Sequence, residues 1–458
     1  MEIDDLKEII ENIQYFIEIK ADTQLRNMLL DTRAADIVDI IVNLDDEDTE
    51  YLFSLLPSEL ASEVLADLDD YNREQIIEDL EHKRLAEILD EMDSDDATDI
   101  VSELPADVAQ EVLKKIDLED SQEVRELLRH EEDTAGGIMA LELIWVEQNS
   151  TVDEAIQQIR TRAEEVEDVY YIYAVDENRR LVGILPVKQL ILSSGKTPIS
   201  EVMERDVISV TDDMDQEAVA NIVKKYDLVA VPVVDKDNKL VGRITIDDVM
   251  DVVDEEASED IHRLAGITDD VEIHETSPFK ISKVRLPWLL FSFVGEIGSA
   301  IVMSYFQPSL EKIIIAAFFI PIIMAMGGNA GIQSSTIMVR GLALGDIGLL
   351  HARKQILKEL RVSIINGLIC GLLLFVIIGS WSYYKAMPHN FEFGAIIGSA
   401  MFFIIINATI VGAVIPLFLK KINVDPAIAT GPFITTSNDI LGLLIYLGLT
   451  TVYLLHFS

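Results

Sequence analysis

Five apolar segments, at about 286–306, 313–338, 362–380, 393–419 and 428–455, constrain this chain more than any other feature. Each is long enough to cross a hydrocarbon core of about 30 Å. A backbone in lipid must satisfy its own N–H and C=O groups, so each segment is read as a membrane-spanning helix. The charges between them set the orientation. Lys280, Lys283 and Arg285 precede the first segment, Arg340, Arg353, Lys354, Lys358 and Arg361 fill the second loop, and Lys420 and Lys421 the fourth. The first and third loops carry only Lys312 and Lys385. Positive loops stay in the cytosol, so the first span enters from there and the C-terminus ends outside. The N-terminus, MEIDDLKEII, has no basic-then-apolar leader, which agrees with a cytosolic first half.

That first half is a different material. Residues 1–283 hold 74 of the 81 acids and 26 of the 36 bases, a net charge of −48. Such acidity argues against nucleic acid and against an anionic lipid surface, and invites cations. Within residues 1–130 an apolar-Asp pair recurs every 24 residues, at Leu44-Asp45, Leu68-Asp69, Met92-Asp93 and Ile116-Asp117. LPSELASEVLADLD from Leu56 aligns with LPADVAQEVLKKID from Leu104. Apolar residues fall at helical spacing (Leu60, Val64, Leu65, Leu68), and each Asp is placed to cap the next helix. The expectation is a small helical repeat stabilised by stacking its neighbours.

Beyond Thr134 the texture turns to short strands between helices. YYIYAVDENRRLVGIL from Tyr170 and LVAVPVVDKDNKLVGRI from Leu228 are two copies of one unit, shifted by 59. Each reads as strand, polar turn, strand and helix. The pair resembles tandem cystathionine-β-synthase (CBS) domains, regulatory modules rather than catalytic ones. Some CBS pairs hold the ribose of an adenine nucleotide by a Thr or Ser and an Asp three residues later. Thr245 and Asp248 match that pattern, whereas the first unit has Pro186 and Gln189 there. ATP is therefore a candidate ligand, with Tyr171 and Asp251 as further contacts. An acidic helix, IDDVMDVVDEEASEDIHRL, then leads from about Ile246 towards the membrane.

Asp439 stands in the last span, in GPFITTSNDILGLLIYL, 11 residues from its expected start and roughly 16 Å deep. A lone carboxylate there costs about 3 kcal/mol on insertion scales. Gly431-Pro432 just before it is expected to break the helix and free carbonyls. PIIMAMGGNAGIQSST in the second span, with Asn329 and Gln333 among its glycines, suggests a matching irregularity. Glu296 is the other acid in a span, and a candidate for the inner mouth of an ion path. One or two carboxylates cannot strip Mg²⁺ of its waters, so a site for the hydrated ion is the chemistry that fits. One carboxylate per chain points to a two-fold axis, across which a second copy balances the divalent charge.

PIIMAMGGNAGIQ and VDPAIATGPFITTSNDILGLLIYL, with the acidic repeat, the CBS pair and the acidic helix, resemble the MgtE family of magnesium channels over essentially the whole chain. The resemblance implies a multidomain fold. An acidic α-helical repeat domain (1–130) and an α/β CBS pair (131–253) precede a connecting helix and linker (254–283) and a five-span α-helical membrane domain (284–458). It implies a homodimer in the cell membrane with the pore on its axis, Asp439 as the selectivity carboxylate and Asn329 lining the path. It also implies regulatory Mg²⁺ held by Asp95 and Asp99, Glu217 and Asp227, and Asp248, Asp251, Glu256, Glu259 and Asp260. Acids at i,i+4, such as Asp95/Asp99, repel unless a cation intervenes, so Mg²⁺ is expected to compact the cytosolic half and shut the pore. The leading expectation is a Mg²⁺-selective, Mg²⁺-gated channel. The alternatives are a coupled carrier for Mg²⁺ or Co²⁺ and a non-conducting divalent or nucleotide sensor. An enzyme is not expected: seven histidines are scattered, the single Cys370 lies in a span, and no phosphate-binding loop appears.

Overall fold

The computed structural model describes residues 3–162, 169–265, 267, 277–343, 347–348, 352–384, 390–422, 424–429 and 431–457. Lys385 and most of the linker before the first span lie outside the described residues. Two compact units make up the chain, Met1–Asp254 and Glu255–Ser458.

The first unit opens with short helices, from Ile3–Glu18 to Leu118–Leu127. The 24-residue period is the period of their N-caps. Asp45, Asp69, Asp93 and Asp117 each stand just before a helix. Asp45 accepts the Asp48 N–H and Asp69 the Asn72 N–H, both at 3.0 Å. The apolar faces then meet in one core built on Ile37, Leu52, Leu65, Leu85 and Ile100. Each such side chain contributes about 1.5–3 kcal/mol when fully removed from water.

Two small sheets follow, one per CBS repeat. β1 (Trp145–Glu147), β2 (Tyr171–Val175) and β3 (Leu181–Pro186) form the first, and β4 (Val210–Thr211), β5 (Ala230–Val234) and β6 (Leu240–Thr245) the second. In both, the first two strands pair in parallel and the last two antiparallel. The register slips at Ala174/Val175 and at Val233/Val234, so the 59-residue shift holds down to the irregularity. The polar turns are alike too. Asp176 accepts the Asn178 and Arg180 N–H groups, and Asp235 those of Asp237 and Lys239. Arg179 (φ 61°) and Asn238 (φ 62°) sit in the left-handed region. These turns join the repeats: Leu181 N–H donates to the Asn238 carbonyl at 3.0 Å and Leu240 N–H to the Arg179 carbonyl at 3.1 Å. The linking helix, Ile246–Ala265, starts where β6 ends.

In the second unit five helices are long and apolar enough to cross a membrane: Pro278–Tyr305, Ile314–Ala343, Ala352–Trp381, Phe391–Lys421 and Pro432–Leu455. Two expectations are corrected here. Gly431-Pro432 does not break the fifth span but begins it, because proline is tolerated in a helix's first turn, where its missing N–H has no partner to lose. Asp439 is thus seven residues, about 10 Å, into the helix. The glycine-rich stretch of the second span is likewise continuous α-helix from Ile320 to Ala343. Gly327 and Gly331 serve close packing instead, whereas Gly328 faces open space. A Cβ on Gly331 would come within 2.0 Å of Asn438 Nδ2, and one on Gly412 within 2.3 Å of the Gly331 carbonyl oxygen. Gly331 is therefore where the second, fourth and fifth spans converge.

Candidate functional site

Asp439 is positioned by glycines on another helix. A Cβ on Gly295 would meet Thr436 Cγ2 at 1.9 Å, and one on Gly298 would meet Ile440 at 3.3 Å. This close approach lays the first span along the fifth and brings the Glu296 carboxyl within hydrogen-bonding reach of Asp439. Glu296 thus lies beside Asp439, and each chain places two carboxyls there rather than one. Beside them Asn438 is 2% exposed, and neither its amide nitrogen nor its oxygen has a partner among the described residues. Buried Ser299, Ser334 and Ser335 hydroxyls are likewise unmatched. Leaving such groups unpaired costs about 1–3 kcal/mol each. Asn329 lies elsewhere: it borders a cleft shared by the second, third and fourth spans.

In the first unit the expected acids from distant segments do meet. Asp95, 7% exposed on the first turn of the helix Ser94–Glu103, faces Asp248 on the first turn of the linking helix. Burial, then Asp248 and Asp96, push Asp95 well above the ordinary carboxylate range. Asp96, which opens to solvent at the edge of the cluster, is pushed up to about 7 by desolvation of its carboxyl and then by Asp248. Burial, then Asp248 and Asp67, also raise Asp251. Asp99 is exposed, one turn along from buried Asp95. Counting i,i+4 pairs passes over Asp96 and Asp67, which join the cluster only through packing. Ser94 holds the joint together: its N–H and hydroxyl donate to Glu142, at 3.0 and 2.8 Å, and its Oγ accepts the Leu141 N–H.

Asp248 has a second task. The Thr245 N–H and hydroxyl both donate to Asp248 Oδ2, at 2.8 and 2.6 Å, so the expected ribose pair caps the linking helix. Tyr171 is half-buried on β2, in the other repeat. Glu217 and Asp227 are not brought together. They stand at opposite ends of the helix Gln216–Tyr226, about 15 Å apart, and Asp227 is its left-handed C-cap at φ 52°.

The far half of the linking helix belongs to the second unit. There Arg263 pairs with both Glu259 and Asp425, and Asp425 caps Ala427 N–H at 2.8 Å. Asp260 is raised by burial, then by Asp425 and Glu256. Spacing alone makes these acids mutually repelling, but Arg263 supplies a cation for Glu259, and Asp425, distant in sequence, joins them only through packing. Among the described residues no group of three or more His, Cys, Asp or Glu side chains is arranged to hold a metal.

Residues 320–449 match the family model for MgtE divalent cation transporters, 32–133 the MgtE intracellular N domain, and 135–194 and 199–255 the CBS domain. The magnesium transporter MgtE of Enterococcus faecalis is 37% identical over 335 residues, 73% of this chain and 72% of that protein. The Thermus thermophilus MgtE is 37% identical over 333 residues, 72% of each chain. The chain belongs to the MgtE family. The cytosolic half of this MgtE family member is similar to two solved structures. One is the soluble part of a magnesium transporter (TM-score 0.51, 30% identity, 55% of this chain and 99% of that one). The other is the cytosolic domain of the Mg²⁺ channel MgtE in complex with ATP (TM-score 0.51, 36% identity, 53% and 99%). The helical N-terminal domain, CBS pair and five apolar helices are those of an MgtE family membrane transporter.

Proposed function

We propose that the protein is a Mg²⁺-selective channel for magnesium uptake, closed by cytosolic Mg²⁺. The observation that carries this is the meeting of Asp95, Asp96 and Asp248, which joins the helical repeat to the first turn of the linking helix. Carboxylates crowded there prefer a bound cation to one another. Filling the cluster stabilises the compact state, and emptying it releases the helix. Asp99, Glu217, Asp227, Asp251, Glu256, Glu259 and Asp260 add weaker sites. Several together can supply the ~5.5 kcal/mol that reverses a 1:99 population. In the membrane, Asp439 with Glu296 is the selectivity site. In a homodimer with the path on its axis, two such pairs balance the divalent charge, and the C-termini face outward.

Mg²⁺ influx into liposomes is the test. Asp439→Asn should abolish most of the flux while the protein still folds. Asp95→Asn with Asp248→Asn should leave it open at Mg²⁺ levels that close the parent. Unchanged flux in the first sinks the selectivity site, and an unchanged Mg²⁺ dependence in the second sinks the sensor. A coupled carrier is the second reading, favoured by the second titratable carboxyl, Glu296, beside Asp439; flux that requires an imposed ion gradient would establish it. ATP is proposed to bind the CBS pair at Thr245, Asp248, Asp251 and Tyr171, because the similar cytosolic domain was solved with ATP. Calorimetry showing no binding at millimolar ATP would remove it.

A further inference from the structure

A cavity of about 320 Å³ opens between the second, third and fourth spans. Asn329 and Gln333 border it from the second, Lys358, Glu359 and Asn366 from the third, and Thr409 from the fourth. Polar side chains at membrane depth are costly against lipid and are retained where they face water or protein. Glu359 lies seven residues, about 10 Å, inside its helix, at the end nearer the basic second loop. It is 6% exposed, and its carboxylate takes one hydrogen bond, from Gln355 Nε2 at 3.2 Å. Among the described residues no cation pairs with it. Lys358 borders the same cavity, but its side chain is exposed, and its long apolar stem carries the ammonium to the rim. Thr409, 5% exposed, adds a hydroxyl. A buried carboxylate without a cation is strongly unfavourable.

We propose that this cavity is a second cation site, in which Glu359 holds a hydrated divalent ion whose waters are received by Asn329, Gln333, Asn366 and Thr409. The size fits: six waters at ~30 Å³ each need roughly 180 Å³, so Mg²⁺ enters with its first shell intact. So does the chemistry, because Mg²⁺ keeps several waters and binds through one or two carboxylates. The site rests on the transport function above and places an ion in the cytosolic half of the membrane domain, on helices that carry neither Asp439 nor Glu296.

Cys370, the single cysteine of the chain, borders the same cavity and is part-exposed. Its modification by a small water-soluble methanethiosulfonate therefore reports access directly. In liposomes Mg²⁺, against Na⁺ at equal ionic strength, should slow the reaction, about tenfold at ten times its dissociation constant. Glu359→Gln should lose most of that protection and Glu359→Asp keep part of it. An unreactive Cys370, a rate indifferent to Mg²⁺, or protection in Glu359→Gln equal to the parent's would each overturn the site. Mg²⁺ influx in the same vesicles separates the two claims. Flux without protection removes the site alone, whereas protection without flux leaves the site standing and removes the transport function.

Discussion

Gly331 has no room for a side chain because Asn438 fills the space above it. Gly331→Ala should therefore destabilise the membrane unit by about 1–3 kcal/mol, the usual cost of overpacking. Adding Asn438→Ala should recover part of the loss, read as non-additivity in thermal unfolding of the purified protein. Fully additive losses would mean that the two residues do not press on each other. A second residue effect concerns pH. Burial, then Glu142 and Asp120, push Glu123 from 4.5 up to about 7, and burial, then Asp90, pushes Asp120 up to about 6; Arg162 pulls Glu123 the other way. Both acids bind protons more tightly folded than unfolded. Their stabilisation is full below about pH 4 and is lost as pH rises through 6 to 7. In chelator, the cytosolic unit's unfolding temperature should fall between pH 5 and pH 8. Glu123→Gln should flatten that slope and raise the temperature at pH 8 by about 2–4 °C, about 1 kcal/mol after solvent screening. An unaltered slope would assign the pH dependence to other acids.

At the scale of elements, the end of the linking helix is tied to the loop before the fifth span by Arg263, between Glu259 and Asp425. On the proposed closure by Mg²⁺, Arg263→Ala leaves three acids facing one another with no fixed cation, so closure should need more Mg²⁺. A part-exposed pair is worth about 1 kcal/mol at most, a shift of up to about fivefold in the closing midpoint. Arg263→Lys should restore part of it. An unchanged midpoint would make the pair incidental to gating. These elements were also the most legible in sequence. The 24-residue period gave the caps, the 59-residue shift held through both sheets, and apolar length found the spans. Two-body chemistry was less legible. Gly431-Pro432 and the second-span glycines suit both a broken helix and a close contact, and local sequence does not say which. Asp96, Asp67 and Asp425 acquire partners only when distant segments pack. Glu359 stands in sequence among the basic residues assigned to the second loop, because the third span starts ten residues earlier than its apolar run.

For the whole molecule, the linking helix is the one element shared by both units: its first turn carries Asp248 and its last Arg263. It runs 20 residues, about 30 Å, without proline or glycine. That gives it the property of a camshaft, in which what matters is phase. One residue inserted after Asp254 turns everything beyond it by about 100° and advances it by 1.5 Å. Asp248 on the first turn is then out of phase with Arg263 and Asp425, which turn together, although every side chain at both ends is intact. Seven inserted residues return the angle to within about 20° but add about 10 Å of reach. If timing by angle is what passes from the acid cluster to the spans, Mg²⁺-dependent closure should vanish with one inserted residue and return in part with seven. If closure fell off steadily with insert length, the shaft would be working as a push-rod instead.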